Sequence, residues 1–225
     1  MRREKTSVSQ EDYLKAIWEI VQEEQVPISA RLAEDLGVTP PAVTAALKRM
    51  AHGGYLRVQR GGRIELSPKG KGVAEHLVLR HRLAEKLLTD VIGLEWSRAH
   101  EEAERLEHGI SPEVVELLLG RFGRDARCPH GVPLFGGLSR LRRKFAAIRL
   151  SEAQPGNSYE VLRVYEKDPK FLDFLAGLNL QPGARFRIKQ RGYDETMVLA
   201  VTGNLRTQVH LGKPATSRIW VRLVR

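Results

Sequence analysis

The sequence has little cysteine and no long apolar run, and both shortages exclude classes of protein. Its 225 residues contain one cysteine, Cys128, so no disulfide can form within the chain, as is typical of a reducing cytosol. No apolar stretch reaches the ~20 residues of a membrane span, and the start, MRREKTSVSQ, lacks the apolar segment of a signal peptide. We therefore expect a soluble, cytoplasmic protein with no membrane partner.

Acidic residues are outnumbered by basic ones, and the net charge of +10 makes a polyanion a plausible partner. Local counting is more informative, because between Thr39 and Gly72 seven bases oppose the single acid Glu65. A merely solvated surface is the alternative explanation of this bias. The bases are Lys48, Arg49, Arg57, Arg60, Arg63, Lys69 and Lys71.

The first third of the chain has the pattern of a winged helix-turn-helix. Apolar spacing predicts a helix over residues 9–24 with Ser9 as its cap, and a second short helix that Gly37 ends. Thr39 and the two prolines after it predict the start of a third helix that continues to His52. Two short alternating runs around Gly61-Gly62 then predict a two-residue hairpin, the wing. Because the basic bias covers the third helix and the wing, we prefer DNA to a solvated surface.

The middle of the chain is predicted to be helical. Ser67-Pro68 opens a long helix that runs to about Val91, and another helix starts near Glu95. In SPEVVELLLGRFG the apolar residues lie on more than one face, so this helix needs covering from two sides. Either a homodimer interface or ordinary core packing would cover it.

The last third changes to short strands separated by turns, the pattern of a small β-barrel. The predicted fold class is therefore mostly α with a β C-terminal domain. Its predicted parts are a DNA-binding domain (1–72), a helical domain for metal binding and dimerisation (73–138), a basic linker (139–150) and the barrel (151–225).

The stretch AHEEAERLEHG, residues 99–109, places His100, Glu104, Glu107 and His108 at i, i+4, i+7 and i+8. On one continuous helix these four side chains share a face. In HRLAE, His81 and Glu85 repeat the i, i+4 pairing, so two helices could gather six such groups. Imidazole and carboxylate donors without a thiolate suit Mn²⁺ or Fe²⁺, whereas a solvated charged face is the alternative.

The same residues do not form the motifs of a metalloenzyme. A zinc protease needs His-Glu-x-x-His, and in HEEAE the residue Glu104 occupies the place of the second imidazole. The paired Glu-x-x-His motifs of a diiron four-helix bundle are not supplied by the order of residues either. We therefore expect a binding protein and not an enzyme.

The run RHRLAEKLLTDVIGLEWSRAHEEAERLEHGIS, with the winged helix before it and the barrel after it, resembles the diphtheria toxin repressor family of metal-dependent transcriptional regulators. The resemblance covers nearly the whole chain and implies a winged helix-turn-helix, a helical dimerisation domain and an SH3-like (FeoA-like) barrel. It also implies a repressor that, loaded with Mn²⁺, binds a palindromic operator as a dimer and controls metal-ion homeostasis genes. An iron(II)-responsive repressor of the same family, and a winged-helix regulator that responds to a small molecule and has structural histidines, are the alternatives.

The resemblance implies a primary metal site made of Asp12, Glu104, Glu107 and His108, with His81 nearby. Asp12 and Glu104 stand where the iron-responsive branch has methionine and cysteine, which resembles the manganese-responsive branch. Lys15 stands where short manganese sensors have a bridging glutamate, which argues against a closely coupled binuclear centre. Asp12 has a second interpretation, because Ser9-x-x-Asp12 resembles a helix capping box.

A secondary site implied by the resemblance uses Glu85, Cys128, His130 and Asp168. His100 is the alternative partner, Glu166 could replace Asp168, and a packed turn is the alternative role of Cys128 and His130. The implied cofactor is Mn²⁺, with Fe²⁺ as the alternative and Zn²⁺ or Co²⁺ as substitutes in vitro.

The implied partners are a double-stranded DNA operator and a second copy of the chain. Thr39 and Pro41 fall on the positions of the recognition helix that contact bases. Ala45 stands where family members often have glutamine, so no base preference can be carried over. The residues expected at the phosphates are Thr44, Lys48 and Arg49 of the helix, and Arg60 and Arg63 of the wing.

Overall fold

The computed structural model describes residues 7–202 and 208–224. The chain forms two compact units. The N-terminal unit comprises the chain up to His81 together with Glu107–Ile110, and the C-terminal unit comprises Arg82–Leu106 and the chain from Ser111 onward. Within the described ranges, no helix is both long enough and apolar enough to cross a lipid bilayer.

Three helices and a hairpin form most of the N-terminal unit. The helices are α1 (Val8–Gln22), α2 (Ser29–Leu36) and α3 (Pro40–His52), and Gly37 ends α2 in the left-handed conformation that glycine adopts at low cost. Their apolar faces meet in one core, which includes Leu14, Ile17, Leu32, Val43, Leu47, Met50, Leu56 and Ile64. The predicted winged helix-turn-helix is confirmed.

The start of α1 differs from the prediction. Ser7, and not Ser9, caps the helix, because its hydroxyl accepts from the Gln10 N–H at 3.3 Å. The Gln10 side chain accepts from the Ser7 N–H at 3.2 Å in return, which completes a capping box. Asp12 therefore has no part in the cap, and its carboxylate is available for another role.

The wing is an antiparallel hairpin of β1 (Leu56–Val58) and β2 (Ile64–Leu66). The Gln59 N–H donates to the Arg63 carbonyl at 2.8 Å, so the loop between these two residues has three residues and not the two predicted. Gly61 and Gly62 both have positive φ, 90° and 82°, which glycine adopts without steric cost.

Helix α4 (Pro68–Leu87) begins at the predicted Pro68 and ends in a π-helical turn, Leu88–Ile92. It is followed by α5 (Ala99–Leu106) and α6 (Pro112–Phe122), and Ser111 caps α6. Helix α5 stops at Leu106, and Glu107–Gly109 form a 3₁₀ turn. The predicted continuous helix face from His100 to His108 is therefore wrong.

Part of the predicted linker is an ordered helix, α7 (Leu138–Phe145). Its Leu141 is fully buried and packs with Ala147 and Leu162. A helix held by such packing is part of a folded domain and not a free connection.

The C-terminal strands are β3 (Ile148–Arg149), β4 (Ser158–Val164), β5 (Arg185–Arg191), β6 (Met197–Val201), β7 (Gln208–Leu211) and β8 (Ile219–Val224). Their order is β3-β8-β4-β5-β6-β7, and all neighbours are antiparallel. Helices α8 (Pro169–Gly177) and α9 (Lys213–Thr216) lie in the connections. The core includes Val161, Leu172, Leu175, Phe186, Ile188, Leu199, Ile219 and Val221. The predicted class, helices followed by an SH3-like β domain, is confirmed.

Candidate metal centres

The first candidate centre lies in the N-terminal unit and consists of Asp12, Glu107 and His108. One ligand atom of each residue lies within 4.8 Å of the others. Asp12 comes from the second turn of α1, whereas Glu107 and His108 come from the 3₁₀ turn that follows α5. Two carboxylates and one imidazole are a donor set that divalent first-row metals accept.

His108 is held by a carboxylate on each side of its ring. Its Nε2 lies 2.9 Å from Asp12 Oδ1, and its Nδ1 lies 2.9 Å from Glu11 Oε2. If Nδ1–H donates to Glu11, the lone pair of Nε2 is directed to the side of Asp12, where an ion would bind. Carboxylates that orient a ligating imidazole in this way recur in metal sites. Sequence reasoning missed Glu11, although its place beside Asp12 was the available signal.

Glu107 is 2% exposed and is held by two other buried groups. Lys15 Nζ donates to both carboxylate oxygens, at 2.9 and 2.7 Å, and His81 Nδ1 lies 2.6 Å from Oε2. Burial alone would raise the pKa of Glu107, but the hydrogen bonds and charges of His81 and Lys15 outweigh burial and lower this pKa. His81 therefore positions Glu107 in this arrangement, and sequence reasoning did not anticipate the contact with Lys15.

Burial raises the pKa of Asp12, and the neighbouring His108 opposes this only in part. The carboxylate has lost hydration that its neighbours do not fully replace. A bound cation would supply the missing compensation, so the electrostatics of Asp12 fit a metal ligand.

Glu104, predicted as a ligand with these residues, is not in the group. It belongs to the C-terminal unit, its side chain is 55% exposed, and its Oε1 lies 3.7 Å from His100 Nε2. The end of α5 at Leu106 explains the difference, because the change to a 3₁₀ turn redirects the two residues that follow.

The second candidate centre lies in the C-terminal unit and consists of Glu85, Cys128 and His130. All three side chains are buried, and their ligand atoms lie within 4.8 Å of one another. Glu85 Oε1 lies 3.1 Å from His130 Nδ1 and 3.3 Å from His100 Nδ1. His100 and the Cys128–His130 pair, predicted as alternatives, therefore both lie beside Glu85.

The backbone fixes which nitrogen of His130 faces the centre. Its Nε2 donates to the Trp96 carbonyl at 2.9 Å, which leaves Nδ1 directed to Glu85. Burial lowers the pKa of His130, but the Glu85 carboxylate and Cys128 outweigh burial and raise it well above its usual value. Burial and then Glu85 raise the pKa of the Cys128 thiol to about 11. An ion bound here would take the place of the His130 and Cys128 protons.

Glu166, and not Asp168, is electrostatically coupled to this centre. The charge of Glu166 acts on Glu85, His100 and His130. Burial opposes ionisation of Glu166, but the Arg163 guanidinium, 3.3 Å away, outweighs burial and lowers the pKa of Glu166. Asp168 instead caps α8 by accepting from the Phe171 N–H at 3.1 Å. Its other oxygen accepts from Arg218 at 2.9 Å, so we replace Asp168 by Glu166 in the proposed ligand set.

The loop that supplies Cys128 and His130 is fixed by residues that sequence reasoning missed. Gly131 has φ +90°, and a Cβ there would lie 1.9 Å from the Leu162 carbonyl oxygen of β4. The Val164 N–H donates to the His130 carbonyl at 3.0 Å. Arg82 donates from one nitrogen to the carbonyls of Pro133, Leu134 and Gly136, at 2.8, 3.2 and 2.6 Å.

The predicted DNA-binding residues lie together in the N-terminal unit and are exposed. They are Thr39 at the N-cap of α3, Pro41, Thr44, Lys48 and Arg49 on α3, and Arg60 and Arg63 at the wing. Thr44 donates to the Pro40 carbonyl at 3.0 Å, and Arg63 lies 3.4 Å from Glu65. The surface around them on α3 is made of small side chains, because Ala42 and Ala45 are also exposed.

Three family models match the chain in sequence order. They are the iron dependent repressor N-terminal DNA binding domain (residues 5–62), the iron dependent repressor metal binding and dimerisation domain (67–136), and the FeoA domain (148–223). A winged helix-turn-helix DNA-binding domain followed by a metal binding and dimerisation domain places the chain in the class of metal-dependent DNA-binding proteins.

Curated relatives identify the family. The chain is 37% identical to the diphtheria toxin repressor of Corynebacterium efficiens over 155 residues, 67% of each protein. It is 40% identical to the iron-dependent repressor IdeR of Mycobacterium leprae over 126 residues, 56% of this chain and 55% of that protein. The alignments thus span between about half and two thirds of these relatives. The chain belongs to the iron-dependent repressor family of metal-dependent DNA-binding repressors.

The whole fold has a solved counterpart. The structure of a manganese-dependent transcriptional repressor in complex with manganese matches with a TM-score of 0.82 and 29% identity, over 96% of this chain and 100% of that chain. These relatives are named as repressors and not as enzymes, as the sequence predicted.

Proposed function

We propose that this protein is a repressor that Mn²⁺ activates to bind a palindromic operator as a dimer, and that it controls genes of metal-ion homeostasis. One observation carries the proposal. Asp12, on the first helix of the DNA-binding unit, meets His108 and Glu107 from a turn about 95 residues further along the chain. A single ion among these side chains joins two remote segments.

The donor atoms support the choice of ion. Asp12 and Glu107 supply carboxylate oxygen and His108 supplies nitrogen, and oxygen-rich sites favour Mn²⁺ more than sulfur-containing sites do. Fe²⁺ is the alternative, since the relative from Mycobacterium leprae is named an iron-dependent repressor. Zn²⁺ and Co²⁺ are substitutes in vitro, because affinity alone follows the general order of the divalent metals.

Metal binding is coupled to DNA binding through the segment that connects α5 to α6. Glu107–Ile110 belongs to the N-terminal unit, yet it connects α5 to α6. Binding of the ion supplies a bridge between α1 and this connection, so it restricts the DNA-binding helices relative to the segment that leads to α6. To shift the protein from about 1:99 to about 99:1 in favour of its DNA-binding state, the ion must bind that state more tightly than the other state by roughly 5.5 kcal/mol.

The contacts with DNA are proposed on the exposed residues of α3 and the wing. Helix α3 enters the major groove, where Thr39 and Pro41 face the bases. Thr44, Lys48 and Arg49, together with Arg60 and Arg63, hold the phosphates.

The dimer is proposed to form through an apolar surface of the C-terminal unit. Leu117 is 68% exposed and Val114, one turn earlier on α6, is 39% exposed. Further exposed apolar side chains are Val91, Ile92 and Leu106. Val114 and Leu117, three positions apart, share a face of α6, and large apolar side chains exposed on one face mark an interaction surface.

The second centre is proposed to bind an ion through Glu85, Cys128 and His130, with Glu166 and His100 beside it. These residues come from α4, α5, the loop after α6 and the connection after β4. An ion here would therefore stabilise the C-terminal unit, since metal that binds only the folded form adds to its stability.

Operator binding in the presence of defined ions tests the proposal. Purified full-length protein, stripped with a chelator, is titrated with Mn²⁺, Fe²⁺, Zn²⁺ or Co²⁺ under anaerobic conditions, with a duplex recovered by selection from a random library. Mn²⁺ should raise the affinity at least ten-fold, and Asp12→Ala or His108→Ala should abolish this response while leaving a dimer.

His76→Ala is the matched control, because His76 is exposed on α4 and lies outside both centres. It should respond to Mn²⁺ as the unmodified protein does. Equal DNA affinity with and without chelator, or no bound metal by elemental analysis, would contradict the proposal and favour a regulator that responds to another ligand.

A further inference from the structure

The charge of the chain is divided unevenly along its length. Residues 1–137 contain 20 Lys and Arg and 20 Asp and Glu, whereas residues 138–225 contain 17 basic and seven acidic residues. The basic bias of α3 and the wing is thus balanced by acids elsewhere in the first part. The whole net charge of +10 belongs to the chain from α7 onward, so this region contributes most to attracting a polyanion over distance.

Part of this charge forms a row across three strands. Arg222 on β8, Glu160 on β4 and Arg185 on β5 are directly opposite one another in register. Glu160 accepts from Arg222 at 2.9 and 3.0 Å, and it lies 3.4 Å from Arg185 Nε. Arg187, two residues along β5, is exposed and donates to the Gly156 carbonyl at 3.0 Å. The Glu160 carboxylate therefore pairs with two guanidinium groups, and a third guanidinium group, that of Arg187, lies next to them.

Two further cationic side chains, Arg127 and Lys144, lie near the ring of Phe145, which Arg222 of this row also approaches. The Arg127 guanidinium lies 4.3 Å from the ring centroid, Arg222 lies 5.5 Å from it, and Lys144 Nζ lies 5.6 Å from it. Burial and the nearby Arg222 lower the pKa of Arg127. We call the group Arg127, Lys144, Arg185, Arg187 and Arg222 the basic face. Its like charges repel one another, and an anion bound there would relieve the repulsion.

We propose that the basic face binds the phosphodiester backbone of DNA, as a second contact independent of α3 and the wing. The inference rests on the proposed DNA-binding function. Four of the five cations are arginine, whose planar guanidinium matches two phosphate oxygens at once. DNA held by the winged helix is at high effective concentration for the rest of the same molecule, so individually weak contacts add measurable affinity.

The contact is independent of sequence, so its signature is the salt dependence of binding. Mn²⁺-loaded full-length protein is titrated by fluorescence anisotropy with a mixed-sequence duplex of about 40 base pairs at about 50 to 300 mM NaCl. In the double variant Arg185→Gln/Arg187→Gln, the slope of log K against log salt should become shallower by about 0.9 for each phosphate that the basic face no longer neutralises. At 0.1 M salt each such phosphate should correspond to a weakening of binding by roughly eight-fold.

The matched control is Lys170→Gln/Lys213→Gln. It removes the same charge from exposed positions of the same domain, outside the basic face. Its slope should stay close to that of the unmodified protein. The single variant Arg187→Glu repeats the test at one exposed position, and equal thermal unfolding temperatures exclude a folding defect.

Three outcomes would overturn the inference. The first is an unchanged slope in the basic-face variants, and the second is an equal change of slope in both double variants. The third is that polyglutamate, titrated in the same way, binds through the basic face whereas DNA does not. The proposed function is tested separately with the same protein preparations. If the unmodified protein shows no Mn²⁺ response on its selected operator, the proposed function is contradicted and not the inference about the basic face.

Discussion

At the scale of single residues, the first centre depends on a side chain outside the ligand group. Glu11 holds Nδ1 of His108, while Nε2 faces Asp12. Orientation of a ligating imidazole by such a carboxylate is a recurrent source of metal affinity. We therefore expect that the proposed ligand residues alone do not determine the strength of metal binding at the first centre.

Glu11→Ala should raise the Mn²⁺ dissociation constant of the first centre by about ten-fold or more, because the imidazole loses its fixed orientation. Competition with a fluorescent chelator measures the constant. Glu34→Ala, at an exposed position of α2, is the control and should leave it unchanged. Equal affinity in both variants would show that Glu11 has no positioning role.

Glu166 and Asp168 differ by two positions but should differ in effect. Glu166→Gln should weaken metal binding at the second centre, because its charge acts on Glu85, His100 and His130. Asp168→Asn should preserve metal binding, since Asp168 caps α8 and pairs with Arg218. Metal stoichiometry in an Asp12→Ala background measures the second centre alone. A loss of metal in Asp168→Asn but not in Glu166→Gln would reverse the assignment.

Some of these residues were within reach of sequence reasoning and others were not. Glu107 and His108 were predicted by residue type and by resemblance and Asp12 by resemblance, and the structure brings the three together. Glu104 was grouped with them by the resemblance, and with Glu107 and His108 also by a spacing that assumed one continuous helix. Sequence alone does not show that α5 gives way to a 3₁₀ turn at Glu107. The choice between Glu166 and Asp168 required the path of the chain between β4 and α8.

At the scale of elements, the loop after α6 is held against β4 by a close backbone approach. Gly131 combines φ +90° with a distance of 1.9 Å from its would-be Cβ to the Leu162 oxygen. Any larger residue must move either the loop or the strand. The positions of Cys128 and His130 therefore depend on this glycine.

Gly131→Ala should lower the free energy of unfolding by roughly 2–5 kcal/mol, the combined cost of left-handed backbone and overpacking. Urea unfolding of the metal-free protein measures this loss. Gly177→Ala on α8 is the control, because nothing lies within 4 Å of its added Cβ. A Gly131→Ala variant as stable as the control would mean that the loop can move away without cost.

Element boundaries were predicted well where local chemistry determines them. Thr39 with its prolines, Pro68 and Gly37 mark helix ends in the structure as they do in the sequence. Helix α7 was missed because SRLRRKF has only a narrow apolar stripe, and its burial depends on Leu162, which is distant in sequence. Tertiary packing, and not local pattern, determines that segment.

At the scale of the whole molecule, the exposed apolar side chains of α6 provide a test of assembly. Leu117→Asp should convert the dimer to a monomer, because it places a charge in the proposed interface. Light scattering after size exclusion measures the mass. Leu223→Asp changes another exposed leucine, on β8, and should remain dimeric.

The Mn²⁺ affinity and the operator affinity of Leu117→Asp should show that assembly and metal binding are separate properties. The first centre should keep its Mn²⁺ affinity, because Leu117 belongs to the other unit. Operator affinity should fall, because only one half-site can be occupied at a time. A monomer that retains full operator affinity would contradict a dimeric mode of binding.

The burial of Cys128 has a consequence for the behaviour of the protein in air. Its side chain is 4% exposed, and its pKa of about 11 leaves almost no thiolate at neutral pH. Peroxide attacks the thiolate and not the thiol. The metal-free protein should therefore resist sulfenic acid formation and migrate as a single chain on a non-reducing gel, so its lone sulfhydryl does not make it a sensor of oxidative stress.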